Sequence, residues 1–153
     1  MNPLEHLEHR LGYSFNDQHL LTRALTHRSQ GAKNYERLEF LGDALLGVVI
    51  AETLYKKFET ANEGQLSRLR SSIVRKETLA RVARALNLGE HLLLGPGELK
   101  SGGFNRDSIL SDVLEAIIGG IYLEVGHDVA AERIADWFAT ELASLSLSQT
   151  QKD

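Results

Sequence analysis

Residues 36–52 read ERLEFLGDALLGVVIAE, Glu36 through Glu52, and the fold turns on how this stretch is read. Between Phe40 and Ala51 the only charge is Asp43. Apolar side chains point in every direction around a helical axis, which predicts a buried helix. At 100° per residue, Glu36, Glu39 and Asp43 fall within an arc of about 60°. Leu46, Gly47 and Ile50 continue that stripe, so the acids share a face that runs from polar surface into core. An ionised carboxylate in such a place is costly unless it is paired or holds a metal.

A second stretch repeats the pattern. In ILSDVLEAIIGGIYL, Ile109 to Leu123, the only charges are Asp112 and Glu115, three residues apart and so on one face. Gly42 and Gly47 on the first helix, and Gly119 and Gly120 on the second, cost helix propensity. Their presence predicts two helices crossing closely, acid stripe against acid stripe. Such a crossing gathers carboxylate oxygens without His or Cys, the ligand set of Mg²⁺ or Mn²⁺ rather than zinc. Two such ions about 3.5–4 Å apart form a clamp for phosphodiester hydrolysis. The competing reading is structural: the acids pair with arginines, with Arg37, Arg70 and Arg106 as candidates.

Around these helices the chain reads as all-α, with two prolines, helical apolar spacing and little strand-like alternation. Helices are expected over Leu4–Leu11, from an Asn16 or Asp17 cap to about Thr26, over Tyr35–Phe58, Glu63–Ser72, Lys76–Leu86, Arg106–Val125 and His127–Leu145. Gly95-Pro96-Gly97 and Ser101-Gly102-Gly103 mark a glycine-rich loop. Trp137 and Phe138 are expected in the core. His6 with His9, and His127-Asp128, are read as surface groups rather than metal sites.

The chain has 153 residues, of which 42% are hydrophobic and 25% charged, ordinary for one soluble domain. Cysteine is absent, which removes disulfides and thiolate metal sites and suits a reducing, cytoplasmic setting. The N-terminal segment is too charged for a signal peptide, and no apolar run approaches the roughly 18 residues of a membrane span. Seventeen basic against 21 acidic residues give a net charge of −4, which argues against a nucleic-acid binder unless bound metal cancels several acids. The densest basic stretch is Arg68, Arg70, Arg75, Lys76, Arg81 and Arg84, either a set of phosphate contacts or a solvated helix surface.

Residues 35–44, YERLEFLGDA, resemble the signature segment of the ribonuclease III family. Four further blocks resemble that family in the same order: Leu25-Thr26-His27-Arg28-Ser29, the run from Glu63 to Arg70, the glycine loop from Leu94 to Gly103, and Ser111 to Gly119. The resemblance covers nearly the whole chain. It implies the helical, homodimeric ribonuclease III endonuclease fold. It also implies an endoribonuclease that cuts double-stranded RNA by Mg²⁺-dependent hydrolysis, with Mn²⁺ as a substitute, leaving 5′-phosphate and 3′-hydroxyl ends with short 3′ overhangs. Processing of rRNA and mRNA is the implied role. By the same resemblance, Glu39, Asp43, Asp112 and Glu115 are the metal-binding catalytic carboxylates. Glu36 and Glu63 are two further acids of the cleavage site, and Phe40 inserts into the partner subunit. Arg68, Arg70, Arg75 and Lys76 are the candidate RNA contacts. The nuclease domain is expected over residues 1–145, with a polar linker beginning over 146–153. The double-stranded-RNA-binding domain that commonly follows is absent from this chain, which fits its acidic charge. A non-catalytic RNA-binding or scaffold relative is the alternative function; retention of all six acids speaks against it. From physics alone, a helical metal-dependent phosphohydrolase acting on small phosphates is a third reading.

Overall fold

The computed structural model describes residues 2–150. Among these the chain forms helices α1 (Pro3–Leu11), α2 (Gln18–Ala24), α3 (Glu36–Lys57), α4 (Glu63–Val74), α5 (Lys76–Ala85), α6 (Pro96–Lys100), α7 (Asp107–Val125), α8 (His127–Trp137) and α9 (Ala139–Ala143). Single 3-10 turns lie at Leu88–His91, Gly103–Asn105 and Leu147–Thr150. No strand occurs among the described residues, and the all-α expectation holds.

Helix α7 is the centre of the molecule. From Ile109 to Ile121 every residue is buried except Asp112. Its long neighbour α3 packs on it more extensively than any other pair of elements. Two glycines make that possible. A methyl group on Gly42 would overlap the carbonyl oxygen of Glu115, and one on Gly119 would overlap the carbonyl oxygen of Leu38. The two backbones therefore touch where a side chain would hold them apart. The other two glycines have different surroundings. Gly47 has open space around it, and Gly120 faces the ring of Phe15. Leu38, Leu46, Val49 and Ile50 from α3 meet Leu114, Ile117 and Ile118 from α7 in the core. Each such side chain contributes about 1.5–3 kcal/mol on burial.

The remaining helices wrap this pair. Side chains of α5 divide cleanly, with Leu79, Val82 and Ala83 buried towards α7 and Arg81 and Arg84 outside. Asn2 caps α1, Asp17 caps α2, and Asn62 with Gln65 forms a reciprocal capping box on α4.

Four expectations change. Helix α2 stops at Ala24 because the chain then pairs with a distant segment: Leu93 N–H donates to Leu25 O and His27 N–H to Leu93 O, each at 2.9 Å. The glycine-rich loop is itself partly helical, with Pro96 opening α6 and Gly103 the following 3-10 turn. The last helix is divided at Phe138, which leaves helical geometry and is fully buried. Trp137 Nε1 nearby donates to Leu11 O at 3.0 Å. Finally, α3 is buried on one side only: Phe40, Ala44, Val48 and Tyr55 lie exposed along its outer face. The expected linker over 146–153 begins with a turn lying on α4, where Leu147 packs against the core, and residues 151–153 fall outside the described residues.

Candidate metal centre

The acid stripes of α3 and α7 meet at the close crossing. Glu39, Asp112 and Glu115 each present a carboxylate oxygen within 4.8 Å of the others. Asp43, one turn beyond Glu39, hydrogen-bonds Glu115, and Glu39 hydrogen-bonds Asp112. Glu115 is the deepest of them, 6% exposed, because α7 is walled by apolar residues on every side but this one.

Packed together without a counter-ion, these acids resist ionisation. Burial, aided by Asp43, Glu39 and Asp112, pushes the Glu115 carboxyl up to about 10. Burial and the neighbouring acids push Glu39 up to about 7. Burial also raises Asp112, opposed by hydrogen bonds from Tyr35 and Glu39 and by the charges of His27 and Lys76. A positive charge placed among such raised carboxyls would favour their ionised form.

The arginine alternative finds no support here. Arg106 forms a bidentate pair with Glu98, at 2.9 and 3.1 Å, and Arg37 and Arg70 are exposed. No Lys or Arg of the described residues forms an ion pair with Glu39, Asp43, Asp112 or Glu115. Four carboxylates that lack such a pair, with several oxygens turned towards one point, fit a hard divalent cation.

The other predicted residues scatter. Glu36 lies exposed one turn before Glu39 and adds to the negative field there. Glu63 opens α4 and lines a shallow cavity of about 390 Å³ with Ala51, Leu54, Tyr55 and Arg70. Those α3 neighbours stand roughly 12–18 Å along the helix from Asp43, so within one chain Glu63 does not join the cluster. Phe40 is 80% exposed. Among the basic candidates, Arg68, Arg70, Arg75 and Lys76 all sit on the surface, and Lys76 acts on Asp112 through its charge. Arg75 Nε reaches Thr78 Oγ1 at 3.4 Å, Arg81 pairs with Glu141 at 3.6 Å and Arg84 with Asp107 at 2.6 Å.

Two further residues at the site lie inside segments singled out from the sequence, but without a role read for either. Tyr35, buried just before α3, donates its hydroxyl to Asp112 Oδ2 at 3.4 Å. His27 packs edge-on against the Tyr35 ring, with centroids 5.8 Å apart. The signal was available in part: an apolar-bodied residue with a polar tip stands next to the acidic signature. Its distant partner Asp112 was not legible from spacing.

The chain is similar to known proteins over nearly its whole length. The family model described as Ribonuclease-III-like matches residues 17–142. Ribonuclease 3 of Hahella chejuensis is 57% identical over 150 residues, covering 98% of this chain and 66% of its own length. Ribonuclease 3 of Ectopseudomonas mendocina is 58% identical over 154 residues, covering 100% and 67%. The chain thus spans about two thirds of the length of these relatives. Among solved structures, the nuclease domain of ribonuclease III from Campylobacter jejuni superposes with a TM-score of 0.90 at 44% identity, covering 95% of this chain and all of that one. A second structure of that domain, described as flexible in a region involved in dimer formation, gives 0.89 at 45% identity, covering 92% and 99%. Dicer from Pichia stipitis is more distant, with a TM-score of 0.66 at 27% identity over 84% of this chain and 57% of that one. With its acid-bearing helices, its fold and its sequence all in agreement, this chain belongs to the ribonuclease III family.

Proposed function

We propose that this chain is the nuclease unit of a double-strand-specific endoribonuclease, acting as a homodimer with Mg²⁺, or Mn²⁺ in its place. The observation that carries the reading is the convergence of Glu39, Asp112 and Glu115, with Asp43 beside them, in a family member in which no Lys or Arg among the described residues pairs with them. When bound there, a divalent cation lowers the pKa of a water ligand and offsets charge developing on the phosphate. Glu39 and Asp43 from one helix and Asp112 and Glu115 from the other would hold it. The close crossing at Gly42 and Gly119 fixes their spacing through backbone contact rather than through flexible side chains. Lys76, whose charge is felt at Asp112, offers a positive charge to a phosphate approaching the site. Glu36 and Glu63 are proposed to line the cleavage site, Glu63 from a place that only a larger assembly brings near the cluster. Arg68, Arg70 and Arg75 are proposed as further backbone contacts.

The second copy is supported by α3. Phe40, Ala44, Val48, Ala51 and Tyr55 fall within an arc of about 80° of that helix and form an apolar stripe on its outer side. Beside its start, Leu20, Leu38, Leu41 and Leu123 line an open groove of about 580 Å³ with Phe40 at its edge. An apolar stripe of this length marks a surface that another copy covers. Residues 1–145 are proposed as the nuclease domain, the rest leading towards the part of the relatives that this chain does not span. Cleavage is proposed to leave 5′-phosphate and 3′-hydroxyl ends with short 3′ overhangs, in rRNA and mRNA processing in the cytoplasm. No helix among the described residues is long and apolar enough to cross a membrane.

Incubation with long duplex RNA, single-stranded RNA and a mononucleotide, in Mg²⁺ and in EDTA, tests the reading. Cutting of the duplex alone, abolished by EDTA, is expected. Hydrolysis of the nucleotide instead would point to a small-phosphate hydrolase, and binding without cutting to a scaffold.

A further inference from the structure

Like-charged groups crowded at one point push apart, so an acid cluster needs something to fix its carboxylates before a cation arrives. Among the described residues, the hydrogen bonds of Glu39 and Glu115 go to Asp112 and Asp43, their fellow acids. Asp112 differs, since a hydroxyl from outside the set, that of Tyr35, reaches its Oδ2 at 3.4 Å.

The surroundings of Tyr35 are built to hold that hydroxyl still. Its side chain is 4% exposed. Its backbone N–H donates to Thr26 O at 2.9 Å, and its ring meets the His27 ring at 66°. His27 is itself pinned. The Ser29 N–H donates to His27 Nδ1 at 3.0 Å, and the Ser29 hydroxyl lies 2.7 Å from the same nitrogen. Nδ1 is therefore an acceptor towards the Ser29 backbone. Ser29 Oγ accepts in turn from Gly95 N–H at 2.9 Å. Gly95 can approach so closely because any side chain there would strike the Ser29 backbone. The pairing of residues 25–29 with 92–95 thus ends in a rigid aromatic platform beneath one acid of the cluster.

We propose that Tyr35 is a positioning residue for the metal site, fixing the Asp112 carboxylate through its hydroxyl, and that the His27–Ser29–Gly95 chain fixes Tyr35. The inference rests on the metal reading above. It gives the Leu25–Ser29 segment and the glycine-rich segment, neither of which supplies a carboxylate, a shared task at the site. Removing the hydroxyl leaves the fold and all four acids in place while freeing Asp112 to swing away from Glu39 and Glu115.

Mn²⁺ titration of the chain without RNA, followed by water-proton relaxation, tests this on the wild type, Tyr35→Phe, Asp112→Asn and the double variant. Urea unfolding in EDTA verifies that each is folded. Tyr35→Phe is expected to weaken Mn²⁺ binding about tenfold, the size of one hydrogen bond to a charged group. In the Asp112→Asn background the same change is expected to alter affinity less than about twofold, because a residue acting through Asp112 has nothing left to act on. Should Tyr35→Phe fail to fold, Ser29→Ala carries the same comparison. Unaltered Mn²⁺ affinity in Tyr35→Phe, or equal weakening with and without Asp112, overturns the inference while leaving the metal site standing. Wild type and Asp112→Asn binding Mn²⁺ equally weakly overturns both.

Discussion

Gly42 of α3 lies against the backbone of Glu115 of α7, so close that a β-carbon on the glycine would occupy the space of the Glu115 carbonyl oxygen. The obstacle is backbone, which cannot rotate aside. Gly42→Ala is therefore expected to force the two helices apart, costing about 3 kcal/mol or more and scattering the acids. Gly47→Ala, one turn on with open space around it, is expected to stabilise by up to about 1 kcal/mol through helix propensity. Urea unfolding of both variants checks this. Equal effects would show that the crossing is looser than described.

Glu115→Gln separates chemistry from folding. With the carboxyl pushed up to about 10, the wild-type side chain is neutral at pH 7 in the absence of metal, and glutamine imitates that form. Unfolding in EDTA is expected to shift by no more than about 1 kcal/mol. Cleavage of duplex RNA in Mg²⁺ is expected to fall at least about a hundredfold, since a ligand charge is removed from the site that offsets developing phosphate charge. Near-normal cleavage by a folded variant would remove Glu115 from the site.

The site was legible where chemistry and helical period coincide, and illegible where it depends on distant pairing. Asp43, Asp112 and Glu115 stood out because each is a charge in an apolar run, and Gly42 and Gly119 because glycine inside a helix needs a reason. Period alone said nothing of Gly47 and Gly120, which look the same in sequence and face open space and Phe15. It also overstated the burial of α3, since an apolar side left exposed and one covered within the chain have identical patterns. The Leu25–Leu93 pairing and the Tyr35–Asp112 contact join residues 68 and 77 positions apart, and no local rule connects them. The break at Phe138 was hidden because helical spacing continues through it.

The raised acids make stability depend on both pH and metal. Glu39 rises from an ordinary 4.5 to about 7 and Glu115 to about 10, so the folded chain holds more protons than the unfolded one across this window. The contribution of these groups to stability without metal is then full below about pH 4.5 and is lost as pH rises towards 7 and beyond. A cation displaces those protons, so the stabilisation gained on adding Mg²⁺ is expected to grow over the same range. Melting curves at pH 5, 6, 7 and 8 in Mg²⁺ and in EDTA read this directly. A metal effect that does not vary with pH would show that the cluster is already ionised.

Phe40 offers a test of the assembly that does not touch the acids' side chains. Phe40, 80% exposed, stands on an apolar stripe that ends with Tyr55 at 73%, the kind of patch that marks an interaction surface. Phe40→Asp places a charge in the proposed contact and is expected to give a monomer, with helical content retained, where the wild type is expected to be a dimer. Light scattering after size exclusion distinguishes the species. A dimer surviving this change would move the interface elsewhere.

The basic residues can be ranked by what already engages them. Arg84 is held by Asp107 at 2.6 Å and by the Asn105 carbonyl at 2.8 Å, so its charge is largely spent within the fold. Lys76 is exposed, and its charge is felt at Asp112, the place where a scissile phosphate would lie. Deleting one cation that neutralises a phosphate lowers the slope of log affinity against log salt by about 1. Lys76→Ala is thus expected to reduce that slope and to weaken binding of every duplex sequence alike. Arg84→Ala is expected to leave the slope unchanged while lowering stability slightly. Duplex binding measured on the Glu115→Gln background, from 50 to 200 mM salt, keeps the RNA intact during the titration. The opposite ranking would place the RNA across the outer face of α5, away from the acids, and would break the proposed link between the basic stretch and the cutting site.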